Sequence, residues 1–362
     1  MKKKVLSILV IICMLIPNCI HANASGRELN SDELDVVNKI EEIISANFGN
    51  IQGEYVLGDP ICISNVDSNS KYYLVSVNRN QTNIATIEIN EIGEVSLTND
   101  ISLYREVLSL VGADCLIYTT GGVVYADFNE SVVELFNSRL NIAGNSDFES
   151  LSYNDKQNYV ETILNNDLSN LNLSNIISSI DNICVIEPSG EQLGVVPSTE
   201  ANTLSISNFV QQGNYNICWA ACVATIVNYK KSRSLSATTV ASAMNHNYTS
   251  SSYSGATATE TVSALSYYGL TYSKTNSKIS WTSVKSNISS NAPFIVCISN
   301  SSGGHMLVGY GYSCKSGDAE AYSSSRYVNV WDPNGYKRSF QYNASTYSLY
   351  GYSWTWNNTI VD

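Results

Sequence analysis

The chain has 362 residues, enough for one or two domains with a sizeable core. Hydrophobic residues make up 44% of the sequence and charged residues only 14%, and the formal net charge is −12 at pH 7. The sequence has no basic stripe of the kind that binds nucleic acid, so nucleic acid is not an expected partner.

The first 24 residues have the three parts of a secretory signal peptide. Lysines at positions 2–4 precede an apolar run, and Ala22-Asn23-Ala24 fits an A-x-A cleavage site. The run is too short to span a bilayer, and no later run approaches the roughly 20 apolar residues that a spanning helix needs. We therefore expect residues 1–24 to be removed on export, the protein to be secreted, and no stable membrane anchor to remain.

Charge divides the rest of the chain into two unequal parts. Residues 25–200 carry seven basic and 27 acidic side chains, a net charge of −20, whereas residues 201–362 carry ten basic and five acidic ones, a net charge of +5. Opposite charges favour docking of one part on the other. The split also fits an acidic, soluble domain beside a nearly neutral one, and the sequence does not separate these interpretations.

Residues 25–186 have the patterns of a mixed α+β domain. Apolar spacing predicts helices over 31–49, 130–140, 155–164 and 171–180, and alternation predicts strands over 72–77, 84–89 and 116–125, the last folded as a hairpin at Gly121-Gly122. This part contains no His after residue 21 and no group of residues with an evident chemical role. Its composition suits a partner domain, an inhibitory domain, or a purely structural one.

Residues 187–204 contain two prolines, two glycines and small polar residues, which indicates an exposed linker open to cleavage. Beyond it, the patterns predict helices over 237–244, 257–268 and 281–288, then strands over 294–298, 305–312 and 327–331. Residues 205–362 are therefore expected to be helical first and β-rich second.

The stretch from Gln212 to Tyr229 contains a Cys followed by a nearly continuous apolar run. The run predicts a buried helix, with Asn214 or Asn216 as its N-cap. Cys218 then lies in the first turn, where the helix dipole and free N–H groups stabilise a thiolate, the reactive form of Cys. Taken alone, Cys218 is equally compatible with a small buried apolar residue.

Three further residues complete a candidate nucleophilic site. His305 follows a Gly-Gly turn at the start of a predicted strand, and Asp332 ends the next strand before a proline. Adjacent strands would bring Asp332 beside His305, where it would orient the imidazole and stabilise its charged form. Gln212, six residues before Cys218, can donate an amide N–H to an oxyanion. Each residue also has a structural interpretation, and Asn334 is an alternative to Asp332.

Seven cysteines remain after residue 24, an odd number that leaves at least one free thiol in an exported chain. Their spacing contains no C-x-x-C pair, and Cys218 and Cys222 lack a second pair of ligands. We therefore expect neither a metal site nor a cofactor.

The segment from Gln212-Gly213 to Cys218-Trp219 resembles the active-site signature of papain-like cysteine peptidases, including the six-residue step from Gln to Cys. The sequence CWAAC, with the later GGHMLVGYGY and WDP, is similar to the bacterial branch: staphopain-like enzymes, plant-pathogen effector proteases and peptidases that trim double-glycine leaders. Two features depart from papain, which has Asn as third member and a second Cys before the nucleophile. Here Asp332 stands in for the Asn, and Ile217 precedes Cys218.

The resemblance covers residues 205–362 and implies an α+β, two-subdomain fold in which a helical part bears the Cys, a β-rich part bears the His, and substrate binds between them. It implies that Cys218 is the nucleophile, His305 the general base and acid, Asp332 the orienting residue and Gln212 the oxyanion donor. No such resemblance covers residues 25–186.

We therefore expect a secreted cysteine endopeptidase that acts on proteins or peptides and is made as a zymogen, with its N-terminal domain as an intramolecular inhibitor. Two alternatives remain open. The same Cys–His–Asp set could serve a transglutaminase-like or cell-wall amidase enzyme, and the fold could be kept by a non-catalytic adhesion or immunity module. The sequence does not assign the residues that would determine substrate specificity.

Overall fold

The computed structural model describes residues 55–57, 60–79, 82–91, 94–110, 113–140, 142–165, 184–186, 192–194, 199–249, 255–315 and 326–362. The expected signal peptide and the helices predicted over 31–49 and 171–180 lie outside these residues. Strands and helices are numbered below in chain order within the described ranges.

The part of the chain before residue 166, called the N-terminal region here, is a mixed sheet with helices packed on it. Its strands are β1 (Tyr55–Leu57), β2 (Ile61–Asn65), β3 (Ser70–Arg79), β4 (Thr82–Asn90), β5 (Val95–Thr98), β6 (Leu116–Thr120), β7 (Val123–Asp127) and β8 (Val132–Asn137). Its helices are α1 (Ser102–Ser109), α2 (Ser146–Glu149) and α3 (Tyr153–Asn165). Both α1 and α3 pack against β2 and β3. Strands β2 and β6 pair in parallel, and the other pairs are antiparallel.

Several predicted elements of the N-terminal region are confirmed. The strands predicted over 72–77 and 84–89 lie within β3 and β4, and the helix predicted over 155–164 lies within α3. The hairpin turn at Gly121-Gly122 joins β6 to β7, and both glycines have positive φ, +57° and +75°. This is the conformation of a two-residue hairpin turn, which glycine adopts without steric cost.

The helix predicted over 130–140 is wrong. These residues contain strand β8, which pairs antiparallel with β7. Val132 and Val133 are 51% and 45% exposed in this strand. β-branched residues favour strands. This short apolar run fits the helical period of 3.6 residues and the strand period of 2 almost equally, and pairing with β7 favours the strand.

The C-terminal region, residues 199–362, contributes the remaining large set of elements. Its helices are α4 (Cys218–Lys231), α5 (Ala237–Ala243), α6 (Ala258–Tyr267) and α7 (Trp281–Ser289). After β9 (Cys184–Ile186) and β10 (Gln192–Gly194), which pair with each other, its strands are β11 (Thr199–Thr203), β12 (Ser273–Thr275), β13 (Phe294–Asn300), β14 (Gly303–Lys315), β15 (Tyr327–Asp332), β16 (Tyr336–Gln341), β17 (Tyr347–Leu349) and β18 (Tyr352–Val361). The expected α+β class is confirmed, and the two-subdomain arrangement stays a prediction.

The end of the predicted linker is part of the sheet. Strand β11 pairs antiparallel with β14, from Thr199↔Lys315 to Thr203↔Gly311. Residues 199–203 are therefore strand rather than linker, and the C-terminal sheet begins before residue 205. The close approach explains Gly311, because a Cβ there would lie 2.6 Å from the Thr203 side chain.

Helix α4 is the buried helix of the C-terminal region. All side chains of residues 219–228 are buried, and the helix packs against β14, α5 and α6. The prediction of a buried helix with Cys218 in its first turn is confirmed. The N-cap prediction is wrong, because Ile217 is the N-cap residue and contributes no side-chain hydrogen bond. The first N–H groups of the helix are therefore not capped by Asn214 or Asn216.

One sheet runs through both regions of the chain. In the described residues sixteen strands belong to it, and its path is β12-β18-β13-β14-β15-β16-β5-β4-β3-β2-β6-β7-β8. The connection is the antiparallel pair β5–β16, in which Leu97 lies opposite Ser339. A single hydrophobic cluster likewise includes Ile63 of the N-terminal region and Trp219 of α4. The two regions therefore share backbone hydrogen bonds and a common core.

Ile63→Ala tests whether this shared core makes the regions unfold together. Ile63 is fully buried, and an Ile→Ala change in a core costs about 2–5 kcal/mol. All five Trp residues lie at or after position 219, so Trp fluorescence reports unfolding of the C-terminal region only. We expect Ile63→Ala to lower the urea midpoint of the Trp fluorescence transition.

The matched control is Val133→Ala in the same region, where the side chain is exposed and the expected change is below about 0.5 kcal/mol. An unchanged Trp transition in Ile63→Ala, together with an earlier loss of far-UV circular dichroism, would contradict common unfolding.

Candidate active site

The structure brings His305 and Asp332 together. His305 is the third residue of β14, Asp332 is the last residue of β15, and these strands pair with Val308 opposite Trp331. This register places the end of β15 beside the start of β14. His305 Nε2 lies 2.9 Å from Asp332 Oδ1, and both side chains are buried. Nδ1 is then the ring nitrogen left for another partner.

Asp332 accepts hydrogen bonds at both carboxylate oxygens. Besides His305, Oδ1 accepts from the backbone N–H of Asn334 at 3.0 Å. Oδ2 accepts from Arg338 Nε at 3.0 Å and from the Tyr350 hydroxyl at 2.8 Å. Removing one partner of a buried ion pair costs about 3–5 kcal/mol, since the remaining charge loses its compensation. These four donors therefore hold Asp332 as a carboxylate in a fixed orientation.

The electrostatics of the pair favour its charged form. Burial alone would raise the pKa of Asp332, but the His305 ring and then Arg338 and Asn334 outweigh burial and hold that pKa well below its usual range. Burial alone would lower the pKa of His305, but the Asp332 carboxylate and Cys218 raise it above its ordinary value. The arrangement favours an imidazolium next to a carboxylate.

Cys218 faces His305 from the start of α4. It is the first residue of the helix, it is half-buried, and it lines the same cavity as His305. The N-terminal N–H groups of a helix and its dipole stabilise a negative charge there. A thiolate at Cys218 would thus be stabilised by the helix on one side and by an imidazolium on the other.

Gln212 is fixed against the end of β15. Its backbone N–H donates to Pro333 O at 2.9 Å, and Trp331 Nε1 donates to Val210 O at 3.2 Å. The Phe209 ring also stacks on Trp331, with centroids 4.7 Å apart. The segment before α4 is therefore held to the strand that carries Asp332, which brings Gln212 to the site.

The Gln212 side chain is buried and its amide N–H groups already have acceptors. Nε2 donates to Asn334 Oδ1 at 3.1 Å and to the backbone carbonyl of Arg139 at 3.0 Å. An amide nitrogen has two N–H groups. Of the two candidates for the third position, Asp332 contacts His305, whereas the Asn334 side chain contacts Gln212.

Cys218 and His305 open into a cleft of about 350 Å³. The walls are small and mostly uncharged, with Gly255, Ala256 and the Gly303-Gly304 turn among them. The N-terminal region also reaches the cleft, since Arg139 and Leu140 line it. An extended peptide segment therefore has room beside Cys218, and part of that room borders on residues 139–140.

Arg338, Tyr350 and Arg139 are residues at the site that the sequence patterns did not single out. Arg338 lies in β16, next to Lys337. In the sequence the pair is only two charged residues in a short segment, and nothing in the sequence marks Arg338 as a partner of Asp332. Tyr350 lies in the turn between β17 and β18, one Tyr among the 24 of the sequence. A charged residue inside a strand was the one signal available, and it did not identify a partner.

The other described cysteines are not placed for reaction. Cys62, Cys115, Cys222, Cys297 and Cys314 are buried, and no disulfide joins any of the cysteines whose side chains are described. Burial raises the pKa of Cys222 well above its ordinary value and that of Cys297 to about 12. In the described ranges no group of three or more His, Cys, Asp or Glu is placed to hold a metal ion. The helices of that same part of the chain are all too short or too polar to cross a membrane.

Residues 203–359 match the family model described as the Peptidase_C39-like family. The matched segment begins at the end of β11 and includes Cys218, His305 and Asp332. The match supports assignment to the papain-like cysteine peptidase superfamily and indicates a cysteine peptidase, a hydrolase of peptide bonds. No protein with a curated description matches the chain.

His305→Gln tests the charged pair through the pH dependence of stability. The raised pKa of His305 means that its stabilisation is complete below about pH 6.5 and is lost as the pH rises through the folded-state pKa. The lowered pKa of Asp332 means that its stabilisation is complete above about pH 4 and is lost as the pH falls toward its folded-state value. We expect the stability difference between the unaltered protein and His305→Gln to be largest between about pH 4 and 6.5. Urea denaturation from pH 4 to 9 measures it, and a difference that grows above pH 7 would contradict the charged pair.

Proposed function

We propose that the protein is an exported cysteine endopeptidase that hydrolyses peptide bonds with a Cys218 thiolate, a His305 imidazolium and an orienting Asp332. The observation that carries this proposal is the buried 2.9 Å contact between His305 Nε2 and Asp332 Oδ1, with Cys218, at the start of α4, lining the same cleft as His305. A nucleophile, a base and a group that fixes the base are the parts that thiol catalysis requires.

The arrangement supports acylation followed by hydrolysis. The Cys218 sulfur forms a bond to the scissile carbonyl carbon, and the carbonyl electron pair moves to the oxygen. As that pair returns, the carbon–nitrogen bond breaks and His305 gives its proton to the leaving amine. Water then attacks the thioester while His305 takes a proton from it, which releases the acid and the Cys218 thiolate. The first N–H groups of α4 are donors available to the oxyanion, and the Gln212 amide becomes one only when the Arg139 carbonyl no longer accepts its N–H.

Alkylation at low pH tests the nucleophile. An ordinary thiol with a pKa near 8.5 is less than about 1% thiolate at pH 6, whereas a thiolate–imidazolium pair remains reactive. We expect iodoacetamide to alkylate Cys218 at pH 6 and His305→Ala to lower that rate by about 100-fold. Cys222→Ala, one helical turn away in the same helix, is the matched control and should leave the rate unchanged.

Equal alkylation in His305→Ala would contradict the thiolate–imidazolium pair.

Assays with casein and with peptidoglycan fragments separate the substrate classes. Cleavage of casein supports a peptidase, whereas cleavage of peptidoglycan alone would favour a cell-wall amidase.

The same proposal makes the N-terminal region an intramolecular inhibitor, so that the protein is a zymogen. The Arg139 carbonyl takes one N–H of Gln212 and Asn334 takes the other, which leaves the amide no N–H for an oxyanion. Residues 139–140 also border the cleft beside Cys218. Arg139 has a positive φ of 53°, a left-handed conformation that is costly for a residue other than glycine. The Arg139 carbonyl therefore blocks the Gln212 amide locally, and Arg139 does so in an unfavourable backbone conformation.

Three substitutions at Arg139 test this block. Proline and glycine change the φ preference of position 139 in opposite directions, and alanine is the control for loss of the side chain. Proline cannot adopt a positive φ, glycine adopts it at no steric cost, and alanine removes the side chain but keeps the cost. With a peptide epoxysuccinyl inhibitor we expect Cys218 labelling to be faster in Arg139→Pro, unchanged in Arg139→Ala, and about fivefold slower in Arg139→Gly. A rate that rises in all three would mean that the guanidinium blocks the cleft, and equal rates in all three would refute the block.

Export is the remaining part of the proposal. It is supported by the basic, apolar and A-x-A segments within residues 1–24, which together favour removal of a signal peptide and release outside the cell. Protein or peptide substrates are then the partners expected of the cleft.

A further inference from the structure

The turn that carries Tyr350 is the feature from which we infer a second role for the N-terminal region. Strands β17 and β18 pair with Leu349 opposite Tyr352, so that Tyr350-Gly351 is a two-residue hairpin turn. Both turn residues have positive φ, 56° and 76°. Glycine suits this conformation, but a tyrosine there is an uncommon outlier, and such strained residues concentrate at functional sites.

The strained turn is organised around a carboxylate of the N-terminal region. Glu88 of β4 is buried, and it accepts from Tyr350 N at 3.0 Å, from Gly351 N at 2.8 Å and from Ser348 Oγ at 2.6 Å. Successive backbone N–H groups in such a turn form a concave binding place for an anion. Glu88 thus stabilises the conformation that Tyr350 would otherwise leave.

Packing by other residues of the N-terminal region supports the same turn. Asn65 Nδ2 donates to Gly351 O at 2.6 Å, and a Cβ on Gly351 would lie 2.3 Å from the Tyr72 ring. The Phe136 ring stacks on the Tyr350 ring, with centroids 5.1 Å apart. The position of Tyr350 therefore depends in part on residues outside the segment that carries Cys218 and His305.

The Tyr350 hydroxyl connects the two halves of the candidate site. It donates to Asp332 Oδ2 at 2.8 Å and accepts from Asn334 Nδ2 at 3.2 Å. Asn334 in turn accepts from Gln212, and Asp332 contacts His305. A displacement of Tyr350 would reach both the group that orients the imidazole and the group that orients the oxyanion donor.

We propose that Glu88 is a positioning residue for the peptidase reaction: it holds the Tyr350-Gly351 turn so that the Tyr350 hydroxyl orients Asp332 and Asn334. This inference rests on the proposed function, since it assigns Glu88 a role in the Cys218–His305–Asp332 reaction. The N-terminal region then both blocks the site, through Arg139, and completes it, through Glu88. Activation requires displacement of residues 139–140 while the rest of the region stays in place.

The ratio of Cys218 alkylation rates at pH 6 and pH 9 tests this role in the full chain. Iodoacetamide is small, and peptide mass spectrometry locates the modification. Loss of Asp332 orientation weakens the imidazolium and with it the thiolate at pH 6, whereas at pH 9 most thiols are ionised. We expect Glu88→Gln and Tyr350→Phe each to lower the ratio by about tenfold, the factor that corresponds to about 1.4 kcal/mol. A purely structural loss would change both rates together.

The double variant and a matched control sharpen the test. Glu88→Gln/Tyr350→Phe should lose no more than either single variant, because both act through one hydroxyl. Asp127→Asn removes another buried carboxylate of the N-terminal region, one that pairs with Lys156 at 3.3 Å, and should leave the ratio unchanged.

Four outcomes would overturn the inference. An unchanged ratio in Glu88→Gln, or additive losses in the double variant, would do so while leaving the proposed function intact. If Glu88→Gln does not fold, Tyr350→Phe keeps the backbone N–H that Glu88 binds, and an unchanged ratio there overturns the inference as well. A Cys218 in the unaltered protein that reacts at pH 6 no faster than an ordinary thiol would overturn the proposed function and the inference together.

Discussion

The buried Asp332 carboxylate is the interaction on which the site depends. A carboxylate without solvent loses several kcal/mol of hydration, so its charge persists only where donors replace the water. Those donors come from β14, from the turn after β15, from β16 and from the turn between β17 and β18. The charge of the Asp332 carboxylate therefore depends on the correct assembly of several strands. The imidazole of His305 is oriented only when all of them are in place.

This dependence extends beyond the segment that matches the peptidase family. The turn bearing Tyr350 is shaped by Glu88, and β16, which bears Arg338, is paired with β5. A region whose acidic composition suggested a detachable inhibitor is thus integrated into the sheet and the core of the remainder. Charge attraction is a minor part of that union, because backbone pairing and apolar burial contribute more than screened surface charges.

Local patterns were enough to predict the residues that carry the proposed chemistry. Cys218, His305 and Asp332 each lie at the end of an element, and ends are marked by an apolar run, a glycine pair or a proline. The supporting residues were not predictable, because their contacts join distant parts of the chain: Glu88 and Tyr350 are 262 positions apart. Strand β8 shows the same limit on a smaller scale. Its short apolar run fits both the helical and the strand period, and pairing with β7, which local sequence does not reveal, decides between them.

The β5–β16 junction also bears on the order in which the chain can fold. Asn99, just after β5, and Lys337, near the start of β16, exchange hydrogen bonds across 238 positions, so a long loop must close between them. Contacts of such separation form late, because the entropy of closure is lost before they are made. Synthesis supplies β5 first, so β16 meets a partner as soon as it appears. A C-terminal half expressed alone would instead present β16 as an open edge, the kind of surface from which strands of different molecules associate.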